Sequence, residues 1–121
     1  MSSTPTAEEL VRKHCVPCEG GVEQLSSDRA NALLASVEGW ELADEGRSIR
    51  RKWTAKNFVA AIEFFNAIAE LAEKEGHHPD LHLEGYRKVT VEISTHAIGG
   101  LSENDFILAS KINQLPIKTK G

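Results

Sequence analysis

The sequence predicts an α+β fold in which three helices lie on one face of a four-stranded antiparallel sheet, in the order α-β-β-α-β-β-α. A long helical pattern spans residues 55–75, and shorter helical patterns lie on either side of it. An alternating strand pattern occurs twice before the long helix and twice after it, and turn-forming residues join each pair. A helix placed between two such hairpins indicates an α+β domain with its helices on one side of the sheet.

Length and composition indicate a single soluble domain. The chain has 121 residues, of which 40% are hydrophobic and 26% are charged, an ordinary balance for a globular protein. Its formal net charge of −4 argues against a surface-wide nucleic-acid footprint. No apolar run approaches the ~20 residues of a membrane span. The N-terminus resembles neither a secretory signal nor a transit peptide, so we expect a cytoplasmic protein, with the nucleus or an organelle left open.

Domain boundaries are expected where these patterns begin and end. We predict a flexible N-terminal tail over residues 1–13, one folded domain over residues 14–116 and a C-terminal tail over residues 117–121. Within the domain, the run Ser26-Ser27-Asp28 is expected to cap the first helix, which would extend to about Ser36, and Gly39 to break it.

Cys15 and Cys18 have the spacing of half a zinc site or of a dithiol redox motif. Zinc would need two further ligands, and the chain has no second cysteine pair. A thioredoxin-like motif would open a helix, whereas Gly20 and Gly21 follow here. We therefore favour a structured turn with ordinary thiols, and keep metal or redox function as the alternative.

Residues 40–53 are predicted to form a β-hairpin around a turn at residues 44–46. The second strand contains the basic run Arg50, Arg51 and Lys52. We interpret this run as the solvated side of a strand and not as a nucleic-acid patch, because acidic residues flank it and no further basic cluster follows.

The long helix is predicted to begin after Thr54, acting as its N-cap, and to end at Gly76. One broad apolar face is expected to cover the sheet and comprises Phe58, Ala61, Ile62, Phe65, Ile68, Ala69 and Ala72. A second apolar stripe beside it contains Phe64, Ile68 and Leu71. This stripe indicates either a deeply embedded helix or a subunit interface.

Two more strands and a last helix are predicted after the long helix. Residues 81–83 and 87–95 carry strand patterns around a turn at residues 84–85. Ser102 is expected to cap the last helix, with Asp105 three residues later completing an acidic capping box.

Histidines lie where two of these elements end, with His77 and His78 after the long helix and His96 after the last strand. Imidazole titrates near neutrality, so such a cluster suits proton transfer. Adjacent side chains in an extended segment point to opposite sides, and Pro79 disfavours a helix that would bring His78 and His82 together. The cluster therefore indicates a proton-transfer or binding site, or histidines that serve only to interact favourably with the dipole at a helix end. It is a poor metal site.

The sequence carries several motifs typical of one family: Glu-Lys-Glu-Gly-His-His-Pro at residues 73–79, Tyr86, Ser-Thr-His at residues 94–96 and Gly-Leu-Ser-Glu-Asn-Asp-Phe at residues 100–106. In these motifs it closely resembles the pterin-4a-carbinolamine dehydratases. The Cys-Val-Pro-Cys lead-in at residues 15–18 is similar to that of plant-like and bacterial members. The resemblance covers about residues 14–115.

The resemblance implies an enzyme that dehydrates 4a-hydroxytetrahydropterins to quinonoid dihydropterins and so recycles the cofactor of aromatic amino-acid hydroxylases. It implies no metal and no organic cofactor. It also implies a homodimer or homotetramer, with an aromatic amino-acid hydroxylase or a transcription factor as a possible protein partner.

By the same resemblance, His77, His78 and His96 are the active-site histidines. Further pterin contacts are expected from the residues next to them: Pro79, Thr95, Ala97 and Ile98. Glu73 and Asp105 are expected to orient imidazoles. Dehydration needs one acid and one base, and we expect His77 and His96 to supply them while His78 positions the substrate.

Overall fold

The computed structural model describes residues 6–13, 15 and 24–119, and it confirms the predicted fold class. The strands are β1 (Glu41–Ala43), β2 (Ser48–Thr54), β3 (Asp80–Glu84) and β4 (Lys88–Ile93). They form one antiparallel sheet in the order β1-β2-β4-β3. Both predicted hairpins are therefore present, and they meet through the β2–β4 pair.

Within residues 6–13, 15 and 24–119, four helices accompany the sheet. They are α1 (Ala7–Arg12), α2 (Ser27–Leu34), α3 (Phe58–Glu75) and α4 (Glu103–Ile112), and short 3₁₀ turns occupy Asp44–Gly46 and His96–Ile98. In the part of the chain that the structure describes, none of the helices combines the length and apolar character needed to cross a bilayer.

The central strands direct their apolar side chains toward the helices. In the β2–β4 pair, Ile49 lies opposite Ile93 and Trp53 lies opposite Val89. Ile49, Val89 and Ile93 are almost completely buried. The alternate residues of each strand point to the other face of the sheet, which is polar. Each helix adds large side chains to the core, among them Leu10, Leu33, Phe64, Ile68, Phe106 and Leu108.

Residues of the basic run in β2 lie on both faces of the sheet. The prediction that the whole run forms the solvated side of the strand is therefore wrong. Arg50 pairs with an acidic residue of β1 at 3.0 Å. Arg51 lies on the helix-covered face, 4.7 Å from the Trp53 ring centroid, and donates to the Asn113 side chain at 2.7 Å. Burial lowers the pKa of Arg51 from its ordinary value, and the Glu38 carboxylate opposes that shift.

α3 begins three residues later than the predicted residue 55, and the predicted N-cap is wrong. Thr54 instead extends β2, where it pairs with Lys88 of β4. The true N-cap is Asn57, whose side-chain oxygen accepts a hydrogen bond from the Ala60 N–H at 2.8 Å. Gly76 ends the helix in the left-handed conformation with φ of 65°, as predicted.

The core face of α3 agrees in part with the predicted face, which contained Ala61, Ile68 and Ala72. The buried residues are Ala60, Ala61, Phe64, Ile68 and Ala72. Phe58 and Ile62, which were expected to cover the sheet, are 52% and 37% exposed. Of the two interpretations of the second stripe, the structure agrees with the embedded helix and not with the subunit interface, because Phe64 and Ile68 belong to the core and Leu71 packs against it.

A helix occupies part of the segment that was expected to be a flexible tail. In α1, the Thr6 hydroxyl accepts a hydrogen bond from the Glu9 N–H at 3.2 Å. Leu10 is fully buried, and α1 packs against α4. A helix of six residues is marginal by itself, so tertiary packing stabilises it.

The other predicted end segment and the cysteine pair are only partly described. The Lys56 N–H donates to the Lys118 carbonyl at 2.8 Å, which ties the C-terminal segment to the start of α3. Cys15 is half-buried, whereas Cys18 lies outside the described residues.

The cap assignment predicts different effects for two neighbouring polar residues. Asn57→Ala should lower the free energy of unfolding by about 1 kcal/mol, because it leaves an N-terminal amide of α3 without its acceptor. Thr54→Val keeps a β-branched side chain in the strand and should change stability by less than about 0.5 kcal/mol. Urea unfolding of both variants decides the matter, and a larger loss for Thr54→Val would refute the assignment.

Candidate active site

The end of α3 places two histidines in a short connection to β3. Gly76 turns the chain, and the His77 N–H still donates to the Ala72 carbonyl at 3.3 Å. Pro79 follows, and β3 begins at the next residue. The backbone of His77 is therefore bonded to the helix end. His78 lies in extended backbone before Pro79, where successive side chains point to opposite sides.

His77 is buried against a buried carboxylate. Its Nε2 lies 2.7 Å from Oδ1 of Asp105, and the side chains are 6% and 0% exposed. The other carboxylate oxygen accepts from the Thr95 hydroxyl and from the Ser102 N–H, both at 2.8 Å. Because a carboxylate only accepts, the proton of this hydrogen bond belongs to Nε2 of His77. Asp105 therefore fixes both the position of the ring and its tautomer.

His78 points the other way. Its Nε2 lies 2.5 Å from Oε2 of Glu73, and the two side chains are 63% and 75% exposed. The adjacent histidines thus have separate carboxylate partners, one inside the protein and one at its surface. An exposed contact of this kind contributes little to stability, so the carboxylate mainly limits where the imidazole can lie.

His96 opens the 3₁₀ turn that follows β4. Thr95 precedes it, and the Thr95 N–H donates to the Gly100 carbonyl at 2.9 Å, which closes a short loop. Gly99 has a positive φ of 63° within that loop. The His96 side chain is exposed and forms no hydrogen bond with any of the described residues.

One pocket collects the three histidines. It has a volume of ≈200 Å³ and is lined by Gly76, His77, His78, Ser94, His96 and Ala97. A second pocket of ≈300 Å³ shares Ser94 and His96 with it and adds Asp44, Arg47, Thr95, Gly99 and Gly100. Of the predicted substrate contacts, Ala97 lines the first pocket and Thr95 the second, whereas Pro79 and Ile98 line neither.

The sequence patterns gave no role to some residues that line the two pockets, and they predicted a different role for Thr95. Ser94 belongs to the Ser-Thr-His motif but received no role, although it lines both pockets. Arg47 comes from the β1–β2 turn, and no local signal links that turn to the histidines. Thr95 is 1% exposed and holds Asp105. His82 pairs with Thr90 in the sheet and lies outside the pocket.

A larger cavity of ≈580 Å³ lies elsewhere, between α1, α2 and the end of α4. Arg51, Glu38 and Asn113 are among its lining residues, and it contains no histidine. The histidine pocket is smaller, but it has the groups that can exchange protons near neutral pH. Among the described residues, no three His, Cys, Asp or Glu side chains are grouped closely enough to hold a metal ion.

Known proteins share this sequence and this fold. Residues 23–115 match the family described as pterin 4 alpha carbinolamine dehydratase. The chain is 48% identical over 113 residues to pterin-4-alpha-carbinolamine dehydratase 2, mitochondrial, of Arabidopsis thaliana, which covers 91% of this chain and 60% of that protein. It is 44% identical over 110 residues to a Nitrosospira multiformis protein named after the same dehydratase, covering 91% of this chain and 95% of the relative.

A solved structure is also similar. The transcriptional coactivator/pterin dehydratase from Brucella melitensis superposes with a TM-score of 0.70 at 33% sequence identity, covering 75% of this chain and 96% of that one. The chain spans about 60% of the length of the Arabidopsis relative but nearly the whole of the two bacterial ones. The matched range contains the three pocket histidines and Asp105. This chain therefore belongs to the pterin-4a-carbinolamine dehydratase family.

Proposed function

We propose that this protein dehydrates 4a-hydroxytetrahydropterins to quinonoid dihydropterins, and thereby serves the recycling of a tetrahydrobiopterin-type cofactor. The observation that carries the proposal is the convergence of His77, His78 and His96 on one pocket. Family membership supports the same substrate class.

The reaction is an elimination of water that two imidazoles can catalyse. The bond between carbon 4a and its hydroxyl oxygen breaks, and the oxygen leaves as water after it receives a proton. The neighbouring ring nitrogen loses its proton, and its electrons form the new carbon–nitrogen double bond. No electron leaves the system, so the elimination requires an acid and a base but no redox partner.

The environments of the histidines support a division of roles. Nε2 of His77 donates to Asp105, so proton exchange with a substrate is assigned to Nδ1, on the other side of the ring. His96 lies at the exposed wall between the two pockets and is assigned as the other member of the acid–base pair. His78, held near Glu73, positions the pterin.

Pterin contacts beyond the histidines are proposed for Pro79, Thr95, Ala97 and Ile98. Ala97 and Ile98 belong to the 3₁₀ turn that starts at His96. Backbone groups of this turn are proposed to meet the amide edge of a pterin whose carbon 4a lies near the imidazoles. Glu73 and Asp105 are proposed as the carboxylates that orient His78 and His77.

The same fold also supports a proposed homodimer or homotetramer. The exposed large hydrophobic residues of α3 are Phe58, Val59 and Ile62. Residues three and four positions apart are neighbours on a helix surface, so these side chains on the first two turns of α3 are a candidate contact surface. We place the subunit contact there instead of at the buried Phe64 and Ile68.

A coactivator role is the second candidate function. The Brucella neighbour is named both transcriptional coactivator and pterin dehydratase. A surface that binds a transcription factor would not depend on the pocket histidines, so their substitution separates the two functions.

An aromatic amino-acid hydroxylase is proposed as the enzyme whose product this protein consumes, and the cytoplasm is proposed as the location of this protein.

Substitution of single histidines should give two kinds of kinetic defect. His77→Ala and His96→Ala should each lower kcat by ~100-fold or more, because an acid or base acts in the transition state. His78→Ala should mainly raise KM. His82→Ala is the matched control, since His82 is exposed on β3 away from the pocket, and it should leave both constants unchanged. Dehydration of a synthetic 4a-hydroxytetrahydropterin is followed in the ultraviolet.

Both stereoisomers of the substrate need to be assayed. The hydroxyl can occupy either face of the ring, and each imidazole could then serve one isomer. Wild-type rates for His77→Ala and His96→Ala on both isomers would show that the histidines only bind the substrate.

Activity should survive removal of metal ions. The elimination is assigned entirely to imidazoles and needs no Lewis acid. Dialysis against a chelator should leave kcat and KM at their starting values. Loss of activity on dialysis, with recovery on adding zinc, would contradict the assignment.

The exposed patch on α3 predicts the behaviour of charged variants. Val59→Glu combined with Ile62→Glu should yield smaller particles in light scattering than the wild type, because charges would be buried at the contact. Asn31→Glu with Ala32→Glu adds the same charge at exposed positions of α2 and should not change particle size. A wild-type protein that is monomeric at micromolar concentration would rule out this contact.

A further inference from the structure

Glu75, the last residue of α3, joins three segments beside the histidine pocket. Its side chain is 5% exposed. Oε1 accepts a hydrogen bond from the Cys15 N–H at 2.8 Å, and Oε2 lies 3.7 Å from the Lys111 ammonium of α4. Lys111 is 13% exposed and also donates to the Val11 carbonyl at 2.7 Å. The carboxylate therefore connects the N-terminal segment with α3 and α4.

Cys15 lies between the two elements that hold the His77–Asp105 pair. Its N–H bonds to Glu75, two residues before His77. Its Sγ donates to the carbonyl oxygen of Asn104, one residue before Asp105, at 3.6 Å. One residue of the N-terminal segment thus contacts the end of α3 and the start of α4 at the positions next to the pair.

Net stability is a poor explanation for this cluster. A buried ion pair roughly offsets the cost of removing its charges from water, and apolar residues of similar size often stabilise a protein as well or better. An ion pair whose carboxylate also accepts a hydrogen bond fixes the relative positions of the groups that it joins. Catalytic groups must be held within about 0.5 Å of their productive positions by the residues around them.

We propose that Glu75 is a positioning residue that, through the Cys15 N–H and Lys111, sets the distance between His77 and Asp105. This inference rests on the proposed dehydratase function for its kinetic consequence. The cluster also gives α1 and Cys15 a part in the active site, although they lie outside the matched family range of 23–115.

Two matched double variants isolate the hydrogen bond from the charges. Glu75→Gln with Lys111→Met removes both charges but keeps an oxygen that can accept from the Cys15 N–H. Glu75→Met with Lys111→Met removes both charges and that acceptor, with a side chain of similar length. Among the described residues, neither variant leaves an unpaired charge inside the protein, and the two variants differ in the acceptor for the Cys15 N–H.

The variant without the acceptor should lose kcat by roughly 10- to 100-fold, as expected for a displacement of about 1 Å at a reacting group. Its KM should change by less than about threefold. The variant with glutamine should retain kcat within about threefold of the wild type. Replacing the exposed Lys13–Glu103 pair, which ties the same segment to α4, with two alanines should have no effect.

A spectroscopic measurement tests positioning without any substrate. The ring N–H proton of His77, identified by its absence in His77→Ala, should shift in the nuclear magnetic resonance spectrum of the methionine variant and remain near its wild-type position in the glutamine variant. Wild-type kcat and an unshifted proton in the methionine variant would overturn the proposal, whatever its melting temperature.

The two measurements separate this inference from the proposed function. If the wild type fails to dehydrate the pterin, the dehydratase proposal is wrong, and the proton shift alone then decides whether Glu75 positions His77. If the wild type is active and both double variants lose kcat equally with unshifted protons, Glu75 does not position the pair.

Discussion

The buried carboxylate of Asp105 is the group on which both the fold and the site depend. A carboxylate can leave water only where hydrogen-bond donors replace its hydration. Here the donors are the Thr95 hydroxyl, the Ser102 N–H and the His77 ring, each 2.7–2.8 Å away. They come from the end of β4, the N-cap of α4 and the segment after α3. Satisfying one carboxylate therefore joins the end of α3, 28 residues earlier in the chain, to the loop that links β4 with α4.

This arrangement makes the chemistry of the site a consequence of folding. Asp105 lies in the first turn of α4, where the helix dipole favours negative charge, so its capping role and its contact with His77 reinforce each other. An asparagine has one acceptor oxygen where a carboxylate has two, and its amide nitrogen would face a donor. Only a carboxylate can hold Thr95, Ser102 and His77 together and also fix the ring tautomer.

Local signals in the sequence predicted the features that depend on a few neighbouring residues. Gly76 as a helix end and Asp105 in a capping box are of this kind, and both follow from backbone chemistry.

Features decided by tertiary contacts were predicted less well. α3 is apolar on more than one side, so periodicity could not show that Phe64 faces the core. Thr54 suits a cap or a strand equally, and pairing with β4 decided it. Leu10 is buried by α4, which no pattern in its own segment reveals.

The adjacent histidines show why the composition of a site does not describe its chemistry. His77 and His78 have the same side chain, yet extended backbone before Pro79 sends them to opposite environments. One is 6% exposed and fixed by a buried carboxylate, and the other is 63% exposed beside a surface one. A reaction that breaks a bond at a defined ring atom benefits from one proton carrier in a fixed place. It also needs groups at the open side of the pocket that can adapt as substrate enters and product leaves. In the proposed dehydration, the first role is assigned to the buried His77 and the second to the exposed imidazoles of His78 and His96.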